Sequence, residues 1–272
     1  MPWTVLTASL IASCALAFGE GHWAYQRPVE RPLPAVGQAD WPRGPVDHFL
    51  LAAMSTHGLR PAPDASPATL CRRLHFDLTG LPPSPQALAD FEEDWRRGGE
   101  SALPIWVDRL LASPQFGEHW ARHWFDIVRF AESVTLRGFI FKEAWRYRDY
   151  VIDSFNQDLP LDQFIREQIA GDLLDADNLE SRRRKIIATT FLQLGNTNLE
   201  EQDKKQLEMD VVDEQLDVIG KAFLGQTISC ARCHDHKFDP VAQVDYYRMK
   251  AVFDGVRHGE RAIPTRGEEE AR

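Results

Sequence analysis

Two thiols and two imidazoles fall within seven residues at Cys230-Ala231-Arg232-Cys233-His234-Asp235-His236, and the stretch continues as Lys237-Phe238-Asp239-Pro240. The order C-x-x-C-H is the attachment pattern for haem c. Cys230 and Cys233 would add across the two haem vinyl groups, and His234 would then be held as the proximal iron ligand. Asp235, His236 and Asp239 would orient His234 or tune the iron from one shell further out. Two other chemistries stay open on residue types alone. Zinc takes thiolate and imidazole ligands, and Cys230, Cys233, His234 and His236 are of those types, with Asp235 and Asp239 as carboxylate donors. Four donors so close in sequence can hardly surround one ion tetrahedrally, so a zinc site would draw its remaining ligands from elsewhere. The third chemistry is a Cys230–Cys233 disulfide. A thioredoxin-like redox role needs a βαβ setting, and no such pattern is present.

A second constellation lies upstream. His119 and His123 are one helical turn apart, and Asp126 continues the same face. They could form a metal triad, or His123 could supply the distal haem ligand. Set against this, imidazoles among Trp120, Trp124 and Phe125 are commonly half-buried and satisfied by backbone. His75, Met209, Met249 and His258 are further distal candidates, although methionines at helical spacing more often belong to a core.

The elements that must position these residues read as helices throughout. Pro45 is a good first helical residue, and Phe49, Leu50, Ala53 and Met54 follow at helical spacing before His57-Gly58. Ser66-Pro67 opens a second helix with Leu70, Cys71, Leu74 and Leu78. Ser84-Pro85 opens a third with Leu88, Phe91 and Trp95. A short fourth helix over 103–112 turns Trp106, Leu110 and Leu111 inward. Ser113-Pro114 starts the most aromatic segment. A further helix carrying Trp145, Tyr147 and Tyr150 runs to about Phe155, others are expected over 161–174 and 207–223, and a last one starts at Asp239-Pro240 with Val244, Tyr247 and Phe253. The basic run Arg182-Arg183-Arg184-Lys185 reads as a solvated face. No run alternates like a strand, so the fold class is mainly α: a multi-helix single globular domain with long loops over residues 45–254. An extended lead-in precedes it over 20–44, and a loose polar tail follows over 255–272.

Composition narrows the function classes. The 272 residues carry a formal net charge of −10, with 41 acidic against 31 basic side chains. That balance argues against a nucleic-acid partner. Residues 1–19 read as an export signal, with Ala15-Leu16-Ala17 as a cleavage site. Ile11-Ala12-Ser13-Cys14 also resembles a lipoprotein box, in which a lipid on Cys14 would be the only membrane attachment. The expected location is periplasmic or extracellular.

Five ordered motifs carry a family resemblance. The first is Arg73-Leu74-His75-Phe76-Asp77-Leu78-Thr79-Gly80-Leu81-Pro82-Pro83. Then come Val107-Asp108-Arg109-Leu110-Leu111-Ala112-Ser113-Pro114, Trp120-Ala121-Arg122-His123-Trp124, and Ala144-Trp145-Arg146-Tyr147-Arg148-Asp149-Tyr150-Val151-Ile152. The last is Ala222-Phe223-Leu224-Gly225 with the cysteine stretch through Pro240. In these the chain resembles the planctomycete-type cytochrome c-like family of unknown function. The resemblance implies an exported c-type haem protein. It also implies a companion domain, because members usually carry a second domain after this one. The position of His119 is more typically Arg in that family, whereas His123 matches.

The resulting expectation is an exported, helical haem c protein. It would exchange electrons with a redox partner or a companion domain protein, and no residue is assigned a catalytic step. The alternative is a non-haem structural or binding module of a periplasmic assembly, with zinc or a disulfide at the cysteine stretch.

Overall fold

The computed structural model describes residues 23–38, 40–134, 138–195, 198–257 and 259–264. The expected export signal over 1–19, Cys14 and His258 lie outside the described residues. The described residues form two compact units that divide between Leu70 and Cys71.

In the first unit, α1 (Pro45–Thr56) begins where the sequence predicts. Pro45 occupies the first turn, and the Asp47 carboxylate accepts hydrogen bonds from the Arg43 and Gly44 amides at 2.8 and 3.0 Å. Two orphan N–H groups are thereby satisfied. The buried residue of α1 is Leu51, whereas Phe49 and Leu50 are exposed. The expected inward face is therefore rotated, since residues one and two places from Leu51 lie well round the helix from it.

The second unit holds most of the helical structure. Helix α2 (Pro67–Thr79), which belongs to this unit from Cys71 on, buries Cys71, His75 and Thr79. Helix α3 (Pro85–Gly98) is capped by Ser84, whose hydroxyl accepts from the Ala87 amide. Helix α4 (Ala102–Leu111) buries Ala102, Trp106 and Leu110. That stripe of spacing four leaves Leu111 39% exposed, contrary to expectation. Phe91 meets Trp106 edge-on at 5.4 Å, and the Trp106 indole donates to Asp94.

Helix α5 (Pro114–Val128) buries Gly117, Ala121, Trp124 and Val128 along one face, and packs most extensively against α6 (Ala144–Asn156). Gly117 allows that contact, because a Cβ there would overlap the Ile152 carbonyl and the Asn156 side chain. The Trp124 indole donates to the Tyr147 hydroxyl at 3.0 Å and to the Gln168 carbonyl at 3.2 Å, so this buried ring is also polar-satisfied. Between α5 and α6, β1 (Ser133–Val134) and β2 (Phe139–Ile140) pair antiparallel over two residues each. A ladder that short leaves no alternation for sequence to show.

Helices α7 (Leu161–Ala170) and α8 (Leu179–Ala188) follow. The basic run at the start of α8 is not a solvated face. Arg182 donates to the Asp172 and Leu174 carbonyls, Arg183 to the Pro264 carbonyl, Arg184 to Glu167, and Lys185 to the Asp175 carbonyl. Three of these acceptors are main-chain carbonyls of the segment that follows α7, at Asp172, Leu174 and Asp175. The Arg183–Pro264 bond and an Arg261–Asp172 ion pair also tie down residues 261–264, so this part of the tail is not loose.

Helix α9 (Lys204–Ile219) starts three residues before the expected position, because Asp203 caps the Lys205 and Gln206 amides. It runs into one wider turn over Gly220–Leu224 and stops at Gly225, whose φ of 64° is left-handed. Helix α10 (Gln243–Val252) closes the unit. The architecture is mainly α, and among the described residues no helix is long and apolar enough to cross a membrane.

Candidate functional site

The cysteine stretch begins as a tight 3-10 turn over Ile228–Arg232. Three residues per turn align positions i and i+3. Ile228 and Ala231 therefore both face the core and are buried, while Cys230 and Cys233 both face outward as exposed free thiols. Gly220 makes this possible, because a Cβ there would collide with the Ile228 side chain.

Arg232, between the thiols, latches the turn onto α9. Its guanidinium donates to Asp210 at 3.1 Å and to Asp213 at 3.4 Å, and Asp213 also accepts the Tyr246 hydroxyl at 2.6 Å. Burial works against the Arg232 charge, but the Asp210 and Asp213 carboxylates outweigh it and hold its pKa above the ordinary value. Burial and then the Asp213 carboxylate push the Tyr246 phenol up. The Arg232 carbonyl is held as well, accepting from the Gln243 amide group at 3.1 Å and the Tyr247 hydroxyl at 3.2 Å.

His234 is exposed, and its Nδ1 lies 2.7 Å from the Asp235 carbonyl oxygen. A carbonyl can only accept, so Nδ1 carries the proton and Nε2 keeps a lone pair for a metal. This second-partner arrangement is the one that fixes the tautomer and orientation of a metal-binding imidazole.

Two of the three other candidate ligands, Asp235 and His236, serve the loop instead. Asp235 Oδ1 accepts the Gln243 amide at 2.8 Å, which caps α10. His236 Nδ1 accepts the Asp239 amide at 2.8 Å and the Phe238 amide at 3.3 Å, so its proton sits on Nε2, 3.1 Å from the Thr227 hydroxyl. Both nitrogens of His236 are thus committed, and its side chain is only 6% exposed. Asp239 stands 3.4 Å from His236 Nδ1. That contact is not a salt bridge, because a nitrogen accepting from two amides bears no proton. The His236 amide donates to the Val241 carbonyl at 2.8 Å and closes the loop over 236–241. This closure delays α10 to Gln243, four residues past the expected start at Asp239. Helix α10 consequently buries Tyr246 and leaves Val244 and Tyr247 exposed, which corrects the expected face.

The other predicted site residues are not brought to His234. His123 is exposed on α5, turned well away from the face of Ala121, Trp124 and Val128. That face looks into the cluster containing Ala231. His75 is buried within its own helix, donating from Nδ1 to the Cys71 carbonyl at 2.9 Å. Met249 packs against the same cluster as Ala231. In the sequence, helical spacing marks Asp210 and Asp213 only as the polar face of α9, and no local pattern points to Tyr246 or Gln243. The available signal was a single Arg between the thiols, preceded by a helix with a row of acids.

The arrangement offers two neighbouring outward thiols and one neutral imidazole nitrogen on a loop anchored at both ends. No curated protein and no solved structure matches the chain. The family model PSCyt2, described as a protein of unknown function (DUF1549), matches residues 45–258. This match runs from the first residue of α1 through the whole cysteine loop and α10, and the chain therefore belongs to the PSCyt2 family.

Proposed function

We propose that the Cys230–His234 loop carries covalently attached haem c and that the protein, exported from the cytoplasm, exchanges electrons with a partner redox protein or a companion domain. One observation carries this reading. Two free, exposed thiols are followed directly by an imidazole whose Nδ1 proton is tied to the Asp235 carbonyl, leaving Nε2 available. The donor set thus fits the proximal half of a haem c site. Haem held there supplies a one-electron iron couple. The chain's own residues do the rest. Cys230 and Cys233 would form the thioethers, His234 would ligate through Nε2, and the Asp235 carbonyl holds that ring's orientation. The Arg232 latch keeps the loop from shifting between oxidation states. Zinc or a disulfide at the same thiols is the rival, with its zinc set reduced to Cys230, Cys233, His234 and a donor from elsewhere.

Thiol mapping separates these chemistries. The protein is produced with haem-maturation machinery, unfolded, and alkylated with or without prior reductant or chelator, and its peptides are then mapped. Cys230 and Cys233 are expected to stay unmodified under every condition. Cys71, whose thiol is buried and pushed up in pKa by that burial and by Glu92, is expected to react only after unfolding. Alkylation of Cys230 and Cys233 overturns the proposal. If it requires reductant it assigns the disulfide, and if it is complete once a chelator is added it assigns zinc.

A further inference from the structure

His119 and His123 lie on one face of α5, His119 half-buried and His123 exposed. Their ring centres are 5.2 Å apart and their planes stand at 81°. With a metal–nitrogen bond of about 2.0–2.1 Å and a ring centre about 1.2 Å beyond the nitrogen, each centre lies about 3.2 Å from a shared ion, and a tetrahedral angle sets the two centres about 5.2 Å apart. The observed spacing matches the one that a shared zinc ion would set. Two neighbours hold the rings there. Trp120 leans on both, at 6.1 Å from His119 and 5.4 Å from His123. Gly80, at a φ of +69° just past the end of α2, packs against the Nδ1 edge of His119 so closely that a Cβ would overlap the ring. The Nδ1 edge of His119 is thus walled off, and Nε2 is the nitrogen turned away from that wall.

We infer that His119 and His123 form a two-histidine clip for a divalent transition-metal ion, with water completing the coordination. Zn2+ fits the geometry, and Cu2+ competes for the same two imidazoles with higher affinity. The site lies on the opposite side of α5 from the core face and does not depend on haem at the cysteine loop. His119 is the residue that completes the clip in this chain, and one helical turn is the spacing at which a single ion can be shared.

The test is a Zn2+ titration by competition with a chromophoric chelator. It uses protein carrying C230S and C233S, so that the cysteine loop cannot compete. One equivalent is expected to bind, with at least ten-fold weaker affinity in H119Q and in H123Q. Zn2+ should also raise the melting temperature of the parent but not of the parent carrying both H119Q and H123Q, because an ion that binds only the folded chain stabilises it. Melting of the metal-free variants shows whether they are folded. Because His119 is half-buried against Gly80, H123Q, at the exposed position, serves as the reference should H119Q prove less stable. Undiminished affinity in folded H123Q overturns the inference, as does the absence of a bound equivalent in the parent.

Discussion

Replacing Arg232 with Ala is expected to lower stability by about 2 kcal/mol and to release the cysteine loop. The magnitude lies between two limits. Breaking a fully buried ion pair costs about 3–5 kcal/mol, and an exposed pair contributes about 0–1 kcal/mol. The Arg232 and Asp213 side chains are 24% and 22% exposed and Asp210 is 39% exposed, so the latch falls between those limits. Without the guanidinium, Asp210 and Asp213 face each other as like charges, and Asp213 keeps only the Tyr246 hydroxyl. Arg232→Lys should recover less than half of the loss, because one ammonium cannot reach both carboxylates as a planar fork can. Urea unfolding gives the stability change, and amide hydrogen exchange across 228–241 gives the loop. Exchange at wild-type rates in Arg232→Ala would show that the latch does not hold the loop.

Glu167→Ala carries the largest expected loss of stability, about 3–5 kcal/mol. Glu167 is wholly buried and accepts from Arg184 at 2.7 Å, Gln163 at 2.9 Å and Tyr150 at 3.1 Å. Truncation strands the Arg184 guanidinium without its anion, leaves the Tyr150 hydroxyl unpaired in the core and opens a cavity. A loss of that size approaches the whole stability of many domains, so the variant should be largely unfolded at physiological temperature. Glu167→Gln keeps the shape and part of the hydrogen bonding, and it should lose about half as much. Melting and urea curves of the two variants check the order. A folded Glu167→Ala with wild-type stability would mean that this charge does not join α7 to α8 as the geometry indicates.

Much of the fold is legible where a local rule decides it. Ser84-Pro85 and Ser113-Pro114 cap their helices as their types predict, and Pro45 opens α1. The misreadings arise where a distant partner decides. Helix α10 starts late because His236 closes a loop on Val241 and Asp235 caps Gln243. The basic run on α8 is consumed by carbonyls and by Glu167, 17 residues from its partner Arg184. The same division holds at the site. Cys230, Cys233 and His234 are identified by spacing alone. Asp235, His236 and Asp239 were counted as metal donors because their types allow it, yet two of them cap backbone amides. Only the fold shows which amide a side chain reaches. The Arg232 latch joins residues 19 and 22 positions apart, beyond any local pattern.

The crowding of imidazoles and carboxylates after the thiols thus has a physical account. His234 faces outward with a free nitrogen, and the residues after it fold the loop that holds it there. The central claim is that haem is bound covalently to this loop. The most direct measurement is the pyridine haemochrome spectrum of the unfolded, acid-acetone-extracted protein, made alongside haem-maturation machinery. The account predicts one thioether-linked haem per chain, retained through extraction and lost in the C230S/C233S variant. A wild-type protein that gives up all its haem to the extract, or carries none, would contradict it.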